Sequence, residues 1–115
     1  MIVAHERDIK SKRIDKEGVK EMGMKAIIGP KEGWNSHVMR VFDVGPGGHT
    51  PLHRHPWPHI NYVLEGKGVL HYKGEDHQLE PGSYAFVDAG KQHQYRNAGD
   101  ETFRFICIVP KEGHK

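Results

Sequence analysis

The sequence predicts an all-β domain, a sandwich or barrel of short strands. Three observations carry this. The 115 residues include 14 Gly and 7 Pro, spread from Gly18 to Gly113, which favours short elements joined by tight turns over long helices. Apolar segments rich in Val, Ile, Phe and Tyr recur at intervals of roughly 8–12 residues. No sustained helical period runs through 24–110. The length argues for one domain, and the single Cys rules out an internal disulfide, so the core must hold without staples.

The elements follow in order. Residues 1–23 are polar and mixed, and read as an arm with one or two short strands. A helical turn around Asp15–Met22 is weakened by Gly18. Met24–Ile28 is a short strand stopped by Gly29-Pro30. His37–Val44 is a strand closed by Gly45-Pro46-Gly47-Gly48. His59–Glu65 and Gly68–Lys73 flank Gly66-Lys67-Gly68, which reads as a hairpin turn. Lys73-Gly74-Glu75-Asp76 reads as a second hairpin. His77–Glu80 leads to Pro81-Gly82, and Ser83–Val87, Gln92–Asn97 and Thr102–Val109 complete the set. The predicted organisation is an arm at 1–23, a barrel domain at 24–110 and a polar tail at 111–115. Closed double-sheet architectures such as the jelly roll suit this strand list because they protect strand edges.

Charge and hydropathy narrow the partners. Lys and Arg number 17 against 15 Asp and Glu, a net charge of +2, which argues against nucleic acid. No apolar run approaches the roughly 18 residues of a membrane span. Met1–Arg13 has no apolar core ahead of its charges, so a cytoplasmic location is expected.

Ten residues are histidine, and four of them, His49, His53, His55 and His59, fall within eleven positions. Side chains alternate along a strand, so His53 and His55 point to one face and make a ready metal chelate. Pro56 and Pro58 prevent an ordinary ladder and make a rigid corner that swings His59 back toward the pair. A further ligand must come from a distant strand. His93, which opens HQYRN after a Gly-containing turn, is the best candidate.

These residues resemble two motifs of the cupins, small metal-binding β-barrel proteins. The first, G-x5-H-x-H-x3-or-4-E-x6-G, matches Gly47, His53, His55, His59 and Gly66 in spacing, with His59 where the family usually has Glu. The second, G-x5-P-x-G-x2-H-x3-N, matches Gly82, Gly90, His93 and Asn97, with Asp88 in place of Pro. The resemblance implies a single cupin barrel, a conical jelly roll with a metal inside. Carried over position by position, it implies His53, His55, His59 and His93 as ligands. Four neutral imidazoles would leave a divalent ion its full charge and make it a stronger Lewis acid. Two neighbouring positions of a six-coordinate ion would stay open. Mn, Fe or Cu are favoured, and Zn or Ni also suit imidazole. The family resemblance also points to a homodimer, in which the N-terminal arm adds to a partner's sheet edge.

The remaining histidines have plainer expectations. His5, His71, His77 and His114 read as surface residues, while His37 and His49 are ambiguous.

Strand parity extends the pocket to Tyr95, which shares a face with His93. In TFRFICIVP the resemblance favours the Phe105/Cys107 face as pocket lining. Arg40 shares a face with Val38, Phe42 and Val44. It either anchors a substrate carboxylate or pairs with an acid at the barrel rim. Cys107 is either a group near the metal or a small core hydrophobe. Trp57, between two prolines, is a lid, an interface anchor or packing.

The expected function is a metal-dependent oxidoreductase of dioxygenase type acting on a small organic substrate. The alternatives are a non-redox isomerase, epimerase or decarboxylase of a sugar or hydroxy acid, and a small-molecule-binding module without turnover.

Overall fold

The computed structural model describes residues 1–114. Among them are nine strands and three short 3-10 turns. The strands are β1 (Lys12–Arg13), β2 (Lys20–Ile28), β3 (His37–His49), β4 (His59–Glu65), β5 (Gly68–Tyr72), β6 (Glu75–Leu79), β7 (Tyr84–Val87), β8 (His93–Asn97) and β9 (Phe103–Pro110). Every pairing is antiparallel, in the order β6-β5-β8-β3-β9-β4-β7, with β2 on β3 and β1 on β2. The result is a nearly closed all-β jelly-roll barrel.

Period-two patterning places the core. In β9 burial alternates strictly, with Phe103, Phe105, Cys107 and Val109 buried. Opposite them on β3 lie Val44, Phe42, Arg40 and Val38 in register. Tyr95, Leu70, Leu79 and Val87 close the interior from the other strands. Fully burying a Val, Leu or Phe side chain contributes roughly 1.5–3 kcal/mol, so this inner face is the main source of stability.

Three expectations are corrected. Gly66-Lys67-Gly68 is not a hairpin, because β4 pairs with β7 and β9 while β5 pairs with β6 and β8. The chain crosses there from one wall of the barrel to the other. Gly66 has φ +78° and packs against the Thr102 carbonyl, and Gly68 lies directly on the Phe103 ring. A side chain at either position would block the crossing. The second hairpin is real: β5 turns into β6 through Lys73 and Gly74, with φ 53° and 76°.

Next, Gly45-Pro46-Gly47-Gly48 does not end a strand. β3 continues through it to His49, with a register shift opposite Lys20 and Met22. A Cβ on Gly48 would sit 2.6 Å from the Lys20 carbonyl oxygen, so the glycine lets the bulged strand run on.

Finally, Asp15–Met22 holds no helical turn, and β2 begins at Lys20. Within the single chain, β1 pairs with its own β2. Glu6 bonds Lys25 and Arg104, and the Ser11 hydroxyl donates to Asp43 at 2.7 Å.

Candidate metal centre and its cavity

The four motif histidines come from three places in the chain. His59 opens β4, His93 opens β8, and His53 and His55 sit on the loop between β3 and β4. Backbone pairing pins the loop to the barrel. His53 N donates to His93 O at 3.1 Å, and His93 N donates to His53 O at 2.9 Å. Gly90 N donates to His55 O at 2.7 Å, tying the loop to the turn before β8.

The ligand atoms of His53, His55 and His93 all lie within 4.8 Å of one another. The His59 ring lies beside them, its centroid 5.0 Å from that of His93 and 5.3 Å from that of His55. Its Nε2 is 3.2 Å from His93 Nε2.

Hydrogen bonds on the far side of each ring fix the tautomers. His55 Nδ1 donates to Trp57 O at 2.7 Å, and His93 Nδ1 donates to Lys91 O at 2.8 Å. His59 Nδ1 donates to Asn61 Oδ1 at 2.7 Å. That amide is itself oriented: Asn61 Nδ2 donates to Ile106 O at 3.2 Å, and Tyr95 OH donates to Asn61 Oδ1 at 2.5 Å. In all three rings the proton is on Nδ1 and the Nε2 lone pair faces inward. Two lone pairs 3.2 Å apart repel unless a cation lies between or beside them. The donor set therefore fits a transition metal ion.

The electrostatics agree. Burial, then the neighbouring His93, lowers the His53 pKa to about 4 and the His59 pKa to about 3. Burial also lowers that of His93. At neutral pH these rings are uncharged and their lone pairs are available. Burial pushes the Tyr95 hydroxyl well above its ordinary value, so it stays protonated and donates.

The histidines form one wall of a cavity of about 270 Å³. Phe105, Cys107, Phe42 and Tyr95 line it, as does Arg40. Phe105 stacks on Tyr95 with ring centroids 4.6 Å apart. Arg40 has no acid partner among the described residues; its terminal nitrogen donates to Cys107 Sγ at 3.1 Å. Cys107 is buried in the core and also lines the cavity. Trp57 lies on the cavity wall, stacked on His55 at 5.1 Å between centroids.

Other residues fall elsewhere. His49 is half-buried on β3 beside Gln94 and does not line the cavity. His37 stacks on Trp34. His114, expected on the surface, is half-buried with a buried Nδ1. Asn97 is a scaffold residue: Nδ2 donates to the Val44 and Glu101 carbonyls, and Oδ1 accepts from Gly99 N. Asn61 was missed in the sequence. Its only signal was its period-two relation to His59 on one strand.

Known proteins add to this picture. The 1-methylthio-D-xylulose 5-phosphate methylsulfurylase of Rhodospirillum rubrum is 34% identical over 77 residues, 67% of this chain and 49% of that protein. The chain spans about half the length of the curated relatives it matches. The solved structure of the polyketide cyclase RemF from Streptomyces resistomycificus superposes with a TM-score of 0.89 at 32% identity, covering 96% of this chain and 79% of that one. A predicted oxalate decarboxylase from Thermotoga maritima gives a TM-score of 0.86 at 26% identity, covering 95% and 98%. The family model described as "Cupin domain" matches residues 40–109, a stretch that takes in Arg40, the four motif histidines and all of β9 up to Val109. The chain belongs to the cupin family.

Proposed function

We propose that the protein is a metal-dependent oxidoreductase acting on a small organic substrate, with one divalent transition ion per chain held by His53, His55, His59 and His93. The observation that carries this reading is the 3.2 Å approach of His59 Nε2 to His93 Nε2 with both protons held on Nδ1. Mn, Fe or Cu are the metals of choice, since imidazole suits them and redox chemistry requires them. An ion held by these residues would supply Lewis-acid polarisation of a substrate oxygen and, if redox-active, a route for electrons to dioxygen. The chain's own residues do the rest. Phe42, Phe105 and Tyr95 give the cavity an aromatic lining that suits the apolar part of an organic substrate. Tyr95 and Asn61 are positioning residues that hold His59 in one tautomer. Among the described residues lining the cavity there is no Asp or Glu, so a carboxylate base is lacking, which favours oxidation over isomerisation.

A second reading has its own support. The solved relative named a polyketide cyclase is 32% identical over nearly the whole chain, which favours carbonyl chemistry without oxygen. The test is reconstitution with Mn, Fe, Cu or Zn and assay against diketones, enediols, thiols and phenols. Oxygen uptake with a redox-active metal supports the first reading. Turnover with Zn in the absence of oxygen replaces it with the second.

A homodimer goes with this reading. Its support is the outer face of β4 and β7, where Ile60 pairs with Phe86 and Tyr62 with Tyr84. All four side chains are exposed, Tyr84 by 81%.

A further inference from the structure

The cavity contains cationic side chains with no acid to match them. Arg40 and Lys16 both line it, and among the described lining residues there is no carboxylate. Arg40 is the stronger case. One terminal nitrogen donates to the Cys107 thiol, a weak acceptor, and the guanidinium carbon lies 4.8 Å from the centroid of the Phe42 ring. Its Nε is buried without a hydrogen-bond partner. His114 Nδ1 is also buried and unpartnered, and the Arg40 charge helps lower the His114 pKa after burial. Lys16, which is exposed to solvent, is the second cation of the lining.

A half-buried guanidinium whose Nε is buried without a partner, and which has no counterion, leaves charge and donors for a ligand to satisfy. We infer that the cavity selects an anionic substrate, one whose carboxylate or phosphate oxygens sit on Arg40 while the rest of the molecule reaches toward the histidine wall. Arg40 offers a fork of donors that matches either group. Cys107 holds the fork in place by accepting one of its hydrogens. Lys16, the exposed cation of the lining, adds long-range attraction. The volume of about 270 Å³ lies just below the range of ordinary ligand pockets, so the ligand is small. This inference rests on the same cavity being the substrate site proposed above.

The test is an NMR titration of the full chain, with metal content measured for each preparation. The probes are pyruvate, inorganic phosphate and acetone, the last a neutral match for the carbonyl end of pyruvate. At least one anion is expected to bind about tenfold or more tightly than acetone. Arg40→Gln is expected to abolish that preference while metal content stays unchanged. Lys16→Gln is expected to weaken the anion about two- to threefold, as a screened charge does. Raising salt should weaken the anion and leave acetone unaffected, a readout that survives if Arg40→Gln fails to fold. Preference for phosphate identifies a phosphate ester, and preference for pyruvate identifies a carboxylate.

The inference is overturned if acetone binds as tightly as both anions, or if neither anion binds. It is equally overturned if salt has no effect on anion binding in the unmutated chain, or if Arg40→Gln folds and binds the anion as that chain does. Pyruvate binding that vanishes with metal removal yet ignores Arg40→Gln would overturn it too. Arg40-dependent anion binding in a chain that holds no metal would leave this inference standing and remove the metal reading.

Discussion

The Nε2 atoms of His59 and His93 stand 3.2 Å apart, each with its ring proton engaged on the opposite nitrogen. Neither can donate to the other, so two lone pairs face each other, an arrangement that a cation would relieve. Deleting ligands should therefore empty the site. The His53→Ala/His55→Ala double variant is expected to retain less than about a tenth of the metal of the unmutated chain, while His59→Ala alone lowers affinity at least about tenfold, in line with the steep dependence on ligand number and second-shell support. Metal analysis after dialysis checks both. Equal metal in all three proteins would disprove the assigned centre.

Asn61 links the centre to the core. Its Oδ1 receives hydrogen bonds from both His59 and Tyr95, and its amide nitrogen is spent on Ile106. Asn61→Leu removes the acceptor and leaves the His59 Nδ1 proton buried and unpaired. The expected costs are about 10–100-fold in metal affinity and about 1–3 kcal/mol in stability. Tyr95→Phe leaves the Asn61 acceptor in place and should cost less on both counts. Metal competition titrations and denaturant unfolding separate the two effects. A Tyr95→Phe variant weaker in metal than Asn61→Leu would contradict the order of the chain Tyr95, Asn61, His59.

Much of the barrel was legible because its inner face is period-two and apolar. Phe103, Phe105, Cys107 and Val109 alternate without a break, and the motif histidines keep fixed spacings. What stayed hidden depended on contacts between distant residues. Whether Gly66-Lys67-Gly68 made a hairpin or a crossing turned on Phe103, some 35 positions on, whose ring occupies the space above Gly68. The continuation of β3 through its glycines turned on the Lys20 carbonyl. The role of Asn61 turned on Tyr95 and Ile106, which no local pattern connects to it.

Gly68 provides the corresponding stability test. A methyl group there would collide with the Phe103 ring, which has no exposed surface. Gly68→Ala is expected to destabilise by about 1–3 kcal/mol through overpacking, and Phe103→Ala by about 3–5 kcal/mol through the cavity it leaves. Combined, the two should cost less than their sum, because the smaller side chain at 103 accepts the new methyl group. Urea unfolding of the single and double variants measures this coupling, and strict additivity would show that Gly68 and Phe103 do not share the space.

Acid should unfold the metal-free chain earlier than its carboxylates require. Folding lowers the His53 and His59 pKa values from 6.5 to about 4 and about 3. As pH falls below 6.5 the unfolded chain takes up these protons first. Stability is then lost progressively down to about pH 3, and is fully present only above about pH 6.5. For the buried His59 the full loss, complete below about pH 3, is on the order of 5 kcal/mol at 1.36 kcal/mol per unit; His53 is more exposed and contributes less. The measurement is urea unfolding from pH 7 to pH 4 on chelator-treated protein. A His59→Gln chain should show a shallower decline, and an identical slope would remove His59 as the source.

The exposed rows on β4 and β7 predict how the chain associates. Ile60, Tyr62, Tyr84 and Phe86 are exposed by 50%, 46%, 81% and 59%. Together they offer apolar area on the order of 400 Å², about half of the roughly 800 Å² that one partner of a standard interface buries. The rows continue onto β9, where Ile108 pairs with Ile60 and Ile106 with Tyr62, which widens the same face. A sheet face of this kind packs against a second copy of itself about a two-fold axis, each row meeting its own equivalent. Tyr84→Lys/Phe86→Lys puts like charges across that axis and should convert a dimer to a monomer in sedimentation. These side chains pack on nothing within the chain's core, so the fold and metal content should persist. A double variant that still sediments as a dimer would place the interface elsewhere, and a monomeric unmutated chain would end the dimer reading.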